Sequence, residues 1–177
     1  MNKTKKLYKK NTFYFMFIAL FIMLWAVYIG METFKWTPIP MGESDDYMFT
    51  TVSLQYCGEL MVREETLIHA KTDFPEFSEY LDNCYEKGEQ SQVTDDKGGR
   101  LPWYFGTYSA MCIPAKILLK HIGFPQIYAY SLTNFIIYLI ALLMVAFALK
   151  QSFQTRFFLL LLLEINPSLF YIVWQSA

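Results

Sequence analysis

The chain has 177 residues, 54% of them hydrophobic and 19% aromatic, with 3 cysteines and a formal charge of −1. An intrinsically disordered chain needs few aromatics and a high net charge, and a disulfide scaffold needs dense cysteine, so both classes are excluded. The near-zero charge supplies no global attraction for nucleic acid, and none is expected as a partner.

Residues 1–11 carry Lys3, Lys5, Lys6, Lys9 and Lys10 and no acid, and read as a basic cytoplasmic N-terminus. Phe13–Ile29 is then 17 residues without a charge or an amide, the centre of a transmembrane helix over 12–30. At about 1.5 Å per residue that run nearly spans a hydrocarbon core of about 30 Å. A secretory signal peptide shares the basic start. The apolar run is longer than a usual signal core, however, and Gly30-Met31-Glu32 is no small-x-small cleavage site, so the segment reads as an uncleaved anchor.

Residues 31–126 form a large loop that holds 15 of the 16 acidic residues. Trp36, Pro38, Pro40 and Gly42 suit an extended exit through the headgroup region. Glu43-Ser44-Asp45-Asp46-Tyr47 opens a predicted helix with Ser44 or Asp45 as N-cap. Its apolar face is Met48, Val52 and Tyr56, four apart, and Gly58 ends or bends it. Residues 59–100 are polar and acidic, with Asp95-Asp96-Lys97-Gly98-Gly99 as a turn.

From Leu101 the chain is aromatic and apolar again. Trp103, Tyr104 and Tyr108 suit an aromatic belt at the headgroups or a sugar-stacking surface. Between Met111 and Ile122, Lys116 and Lys120 share one helical face while Ile113, Ile117, Leu118 and Ile122 line another. That pattern predicts an interfacial helix in the outer leaflet, its lysines snorkelling toward phosphates. Cys57 and Cys84 both lie in the loop, and spacing leaves their pairing open; Cys112 reads as a small hydrophobe.

Ile127–Leu149 is 23 residues whose polar members are Ser131, Thr133 and Asn134, a second transmembrane helix. Residues 150–156, with Lys150 and Arg156, form a short cytoplasmic loop before a third span over 157–175. Glu164 inside that span is either a functional carboxylate facing a polar cavity or a sign that the span starts late. The basic segments lie on one side of this arrangement, so the positive-inside rule sets them in the cytoplasm and the loop outside. The expected fold class is all-α integral membrane: three transmembrane helices, and a large extracytoplasmic loop with amphipathic juxtamembrane helices. The expected location is the plasma (inner) membrane.

The order of these features carries a resemblance. One span leads outward, and the acidic pair Asp45-Asp46 follows within about 16 residues. A loop, an aromatic amphipathic segment over Leu101–Gly123 and a long returning span complete the pattern, with Asn166-Pro167-Ser168-Leu169-Phe170-Tyr171 in the outer half of the next. This arrangement resembles the N-terminal portion of the GT-C superfamily of membrane glycosyltransferases, which includes protein O-mannosyltransferases and aminoarabinose transferases. The resemblance implies a polyprenyl-phosphate-linked sugar donor used at the outer face of the membrane. It also makes Asp45 or Asp46 the loop acid of that family, although Asp-Asp replaces the commoner Asp-Glu or Asp-x-Asp.

Transfer from a lipid phosphate needs a base for the acceptor's proton or a metal to steady the leaving phosphate, and carboxylates serve either purpose. Asp45 and Asp46 are therefore the catalytic candidates and the candidate ligands of a divalent metal ion; helix capping is their structural alternative. Lys97, Arg100, Lys116, Lys120 and His121 are candidates for phosphate, Tyr104 and Tyr108 for sugar, and Glu164 for a polar cavity. Three spans do not enclose a lipid-sugar site. The chain is thus expected to be the front of a longer or split enzyme, inactive alone, with further C-terminal spans or a partner membrane subunit, and membrane lipid, as partners. The competing functions are a non-enzymatic three-span protein whose outer loop docks a partner in an envelope complex, and a piece of a transporter resting on Glu164.

Overall fold

The computed structural model describes residues 2–35, 44–88, 93–102, 106–148 and 151–165, without the side chains of 2–12, 15, 33, 44, 164 and 165. These residues form an all-helical protein with no strand among them; the two isolated bridges, Val62 to Arg100 and Thr94 to Arg100, only pin loops together. The helices are α1 (Asn2–Thr33), α2 (Ser44–Val52), α3 (Glu64–Asp73), α4 (Ser78–Lys87), α5 (Thr107–His121), α6 (Tyr128–Leu143) and α7 (Phe153–Ile165). Wider π-helical turns extend α2 over Ser53–Cys57 and α6 over Met144–Ala148.

Two compact units emerge. The first is built from α1, α6 beyond Asn134, and α7. Its core is Ile18, Ile22 and Ile29 of α1 against Tyr138, Leu142 and Ala146 of the α6 segment and Leu160 of α7. Trp25 Nε1 donates to Tyr138 Oη at 2.7 Å, so the indole N–H is satisfied within an apolar helix pair. Tyr14 stacks on Phe153 with ring centres 4.3 Å apart.

Of the described helices, Tyr128–Ala148 is long and apolar enough to cross a membrane. Met16–Glu32 and Phe153–Leu163 are shorter apolar helices. The first expected span continues N-terminal to Met16 through Phe13–Phe15, where the side chain of Phe15 lies outside the described residues. The third is described only to Ile165, and the Asn166–Tyr171 segment and Trp174 lie outside the described residues. α1 also begins earlier than the expected span, since the lysine-rich segment is helical from Asn2.

The second unit covers 37–133 and contains α2 to α5 and the start of α6. α2 packs on α3 and α5, and α3 packs on α4. Met48, Phe49, Val52, Val62, Phe74, Leu81 and Leu119 are among its fully or almost fully buried side chains. Residues 59–100, read from sequence as a polar loop, contribute two ten-residue helices. Such short polar helices are marginal alone and are held by the few apolar groups they bury, here Ala70 of α3 with Leu81 and Cys84 of α4. Gly58 ends the π-turn after α2 as expected, with φ 70° and its N–H on the carbonyl of Ser53. The turn at Asp95–Gly99 also forms: Oδ1 of Asp95 accepts the N–H groups of Lys97 (3.0 Å) and Gly99 (2.6 Å).

Candidate functional site

Asp45 and Asp46 occupy the first turn of α2, with 5% and 3% of their surface exposed. At that end of a helix the backbone N–H groups point outward and the dipole favours negative charge, so both carboxylates sit where the fold tolerates them best. The turn is tied down from two elements. The carbonyl of Tyr47 accepts from Ser109 Oγ of α5 (3.5 Å) and from Tyr130 Oη of α6 (3.3 Å). Thr51 Oγ1 in turn donates to the carbonyl of Ser109 at 3.5 Å. Tyr108 stands edge-on to Tyr47 with ring centres 5.2 Å apart, which brings one expected sugar-stacking residue beside the acidic turn.

The basic candidates do not gather there. Lys116 is 0% exposed, so it does not snorkel toward headgroups. Its ammonium forms an ion pair with Oδ2 of Asp73 at the end of α3 and donates to Gln55 Oε1 at 2.7 Å. It also lies over the rings of Tyr56 (5.0 Å) and Phe74 (5.6 Å). The physical reason is desolvation: a lysine on the packed face of α5 is tolerated only where a carboxylate and aromatic faces replace water.

Oδ1 of Asp73 accepts from Lys120 Nζ (3.0 Å), Tyr56 Oη (3.1 Å) and Gln126 Nε2 (3.3 Å). Burial pushes this carboxyl up, but the hydrogen bond and charge of Lys116, with the bonds of Lys120 and Tyr56, hold it below the usual carboxylate value. Burial draws Lys116 below the ordinary lysine value, against the pull of Asp73. Lys120 moves the other way, raised first by its bond to Tyr56 (2.9 Å) and then by Asp73. The cluster therefore spends both lysines on one internal carboxylate and joins α2, α3 and α5.

Arg100 is likewise engaged internally. Its guanidinium donates to the carbonyl of Tyr85 and lies 4.7 Å over that ring, fastening the 93–102 segment to α4. Lys97 is exposed at the tip of the Asp95–Gly99 turn, and His121 is exposed at the end of α5. Tyr104 and Trp103 lie outside the described residues; Glu164 lies on α7, its side chain outside them. Cys57, Cys84 and Cys112 form no disulfide, and burial pushes the thiol of Cys112 up to about 11.

Sequence reasoning missed Asp73, Gln55, Tyr56 and Gln126 as partners of the lysines. The one available signal was a lysine in an apolar helix, which demands a partner without saying where it lies. Among the described residues, no three His, Cys, Asp or Glu side chains converge as a metal would require. Asp45 and Asp46 alone supply part of a coordination sphere. Chemically the acidic turn offers two adjacent carboxylates held on a fixed helix end, suited to accepting a proton. No protein-family model, no curated protein and no solved structure matches this chain.

Proposed function

We propose that this chain is the N-terminal part of a membrane glycosyltransferase of the GT-C type. It anchors in the plasma membrane through three apolar helices and works with further spans or a partner membrane subunit. Its donor is a sugar carried on polyprenyl phosphate at the extracytoplasmic face. The observation that carries the reading is the pair Asp45-Asp46 in the first turn of α2, fixed to α5 and α6 through the carbonyl of Tyr47. A pre-positioned carboxylate is what proton removal from an acceptor hydroxyl needs, and positioning is a large share of such catalysis. One of the two takes the acceptor's proton. A divalent metal, where one takes part, would be held by the same two carboxylates and would steady the leaving phosphate.

The test is transfer of radiolabelled sugar from polyprenyl phosphate by membranes containing the full-length protein. Asn at the working position lowers transfer by about 10²- to 10⁴-fold at unchanged protein level. Undiminished transfer in both Asp45→Asn and Asp46→Asn removes the acidic pair from the mechanism and leaves the non-enzymatic docking reading in its place.

A further inference from the structure

Helix α5 buries a lysine and leaves large aliphatic side chains exposed. Its buried face holds Ser109, Cys112, Ala115, Lys116 and Leu119, while Met111, Ile117 and Leu118 stand on the exposed face. Leu118 is 54% exposed, and Ile122, directly after the helix, is 63% exposed. Phe124 continues the same apolar surface. A helix facing water does the reverse, presenting its charges and hiding its branched aliphatics. Lys116, paired with Asp73, shares the buried face with Leu119, and Ile117 and Leu118 lie on the other side.

Two further observations identify what covers that side. Residues 122–127 separate α5 from α6, the helix long enough to cross a membrane, and six residues reach at most about 21 Å. The face is therefore tethered within that distance of the start of α6. Charge supplies the second argument. The loop before residue 97 is strongly acidic, yet from Lys97 onward the only acid is Glu164. At the polar edge of α5 the ammonium of Lys120 stays half-exposed beside its partner Asp73, a pattern that suits anionic headgroups.

We infer that the face formed by Met111, Ile117, Leu118, Ile122 and Phe124 is a lipid-docking surface. It lies in the outer leaflet at the headgroup–acyl boundary and holds the helical loop unit, with Asp45 and Asp46, down on the membrane. This rests on the proposal that α6 crosses the membrane, but not on the glycosyltransferase reading. A docked loop keeps the acidic turn close to any substrate whose reactive group is delivered by a lipid, whatever the chemistry that follows.

The full chain, in a Cys57→Ser background whose remaining thiols are buried, is labelled with bimane at Leu118→Cys, Ile117→Cys, Ile140→Cys on the exposed side of α6, or Glu76→Cys in the acidic loop. Each is reconstituted in phosphatidylcholine–phosphatidylglycerol vesicles with or without chain-brominated lipid, and tested against aqueous iodide. Labels at 117, 118 and 140 are expected to lose emission to brominated lipid and keep it in iodide, with the opposite result at 76. Iodide quenching at 117 and 118 overturns the inference, because water then covers the face. Protection from both quenchers overturns it equally, because a protein surface, a further segment of this chain or a second copy, then lies there. Loss of lipid quenching at 140 as well defeats the membrane reading of α6 itself, and this inference with it. In the unsubstituted protein, photoactivatable phospholipid is expected to form adducts within residues 111–124; adducts on α6 alone would overturn the inference without any change of sequence.

Discussion

Lys116 of α5 and Asp73 at the end of α3, 43 residues apart in sequence, form an ion pair in which neither side chain has more than 1% of its surface exposed. The pair is asymmetric. Asp73 has Lys120, Tyr56 and Gln126 as further donors, whereas Lys116 has Gln55 as its other hydrogen-bond acceptor. Removing one member of a buried pair is costly because the other is left charged and desolvated.

The asymmetry predicts unequal losses. Asp73→Asn strands Lys116 in an apolar site and is expected to destabilise the loop unit by about 3–5 kcal/mol. Lys116→Met keeps the volume and leaves Asp73 three donors, so its loss is expected to be smaller, about 1–3 kcal/mol. Denaturant unfolding in detergent, followed by helical circular dichroism, compares them. Equal losses would mean that Lys120, Tyr56 and Gln126 do not hold the carboxylate in solution.

That pairing also marks how far the sequence was legible. α6 announced itself by a mostly apolar run of 23 residues, and α2 by Met48, Val52 and Tyr56 at helical spacing with two acids in its first turn. α3 and α4 did not, because each is ten residues long and mostly polar, and only tertiary contacts keep it helical. Lys116 and Lys120 share a helical face by arithmetic, but periodicity cannot say whether that face meets water or a distant carboxylate. Asp73 supplies the answer from a stretch with no local pattern. The acidic turn was legible since its signature is local; its anchoring by Ser109 and Tyr130 was not, because it crosses 62 and 83 residues.

Acid should weaken the loop unit within a defined window. The guanidinium of Arg63, whose Nη2 is 2.6 Å from Asp95 Oδ2, with the N–H groups of Gly99 and Lys97, holds the Asp95 carboxyl down at about 2, against an ordinary 3.8. Asp73 is shifted in the same direction. A carboxylate with a depressed folded value adds stability that is present above its unfolded value and lost as pH falls through the folded one. The melting temperature is thus expected to be level down to about pH 4 and to fall between about pH 4 and 2. In Asp95→Asn that fall should be shallower, because one of the two contributing groups is gone. An unchanged slope would remove Asp95 as a contributor.

In the α1–α6–α7 unit, the indole N–H of Trp25 has Tyr138 Oη as its acceptor. Tyr138→Phe keeps the ring in the core formed with Ile22 and Leu142 but removes the acceptor. The expected cost is about 0.6–1.7 kcal/mol, the range for polar contacts between apolar helices. Tyr138→Ala should cost considerably more, since it also opens a cavity between the helices. Thermal unfolding in detergent reads both, and a Phe variant as damaged as the Ala variant would show that the hydroxyl, not the ring, dominates.

The charge distribution makes a prediction about sidedness that bears on the whole functional reading. Five lysines lie in the first ten residues, within α1, Lys150 follows α6 and Arg156 lies in the first turn of α7, while residues 31–126 hold fifteen acids against eight bases. Translocating the acidic loop costs little by this rule, whereas moving the clustered lysines outward opposes it. Lys97 in the exposed turn and Ser152 in the link before α7 are surface positions on opposite sides of that arrangement. A membrane-impermeant maleimide added to intact cells is expected to modify Lys97→Cys at once, and Ser152→Cys only after permeabilisation. The reverse result would turn the acidic turn toward the cytoplasm, where a donor delivered outside could not reach Asp45 or Asp46. Modification of both from outside would mean that α6 does not cross the membrane, and the three-helix anchor would fall with it.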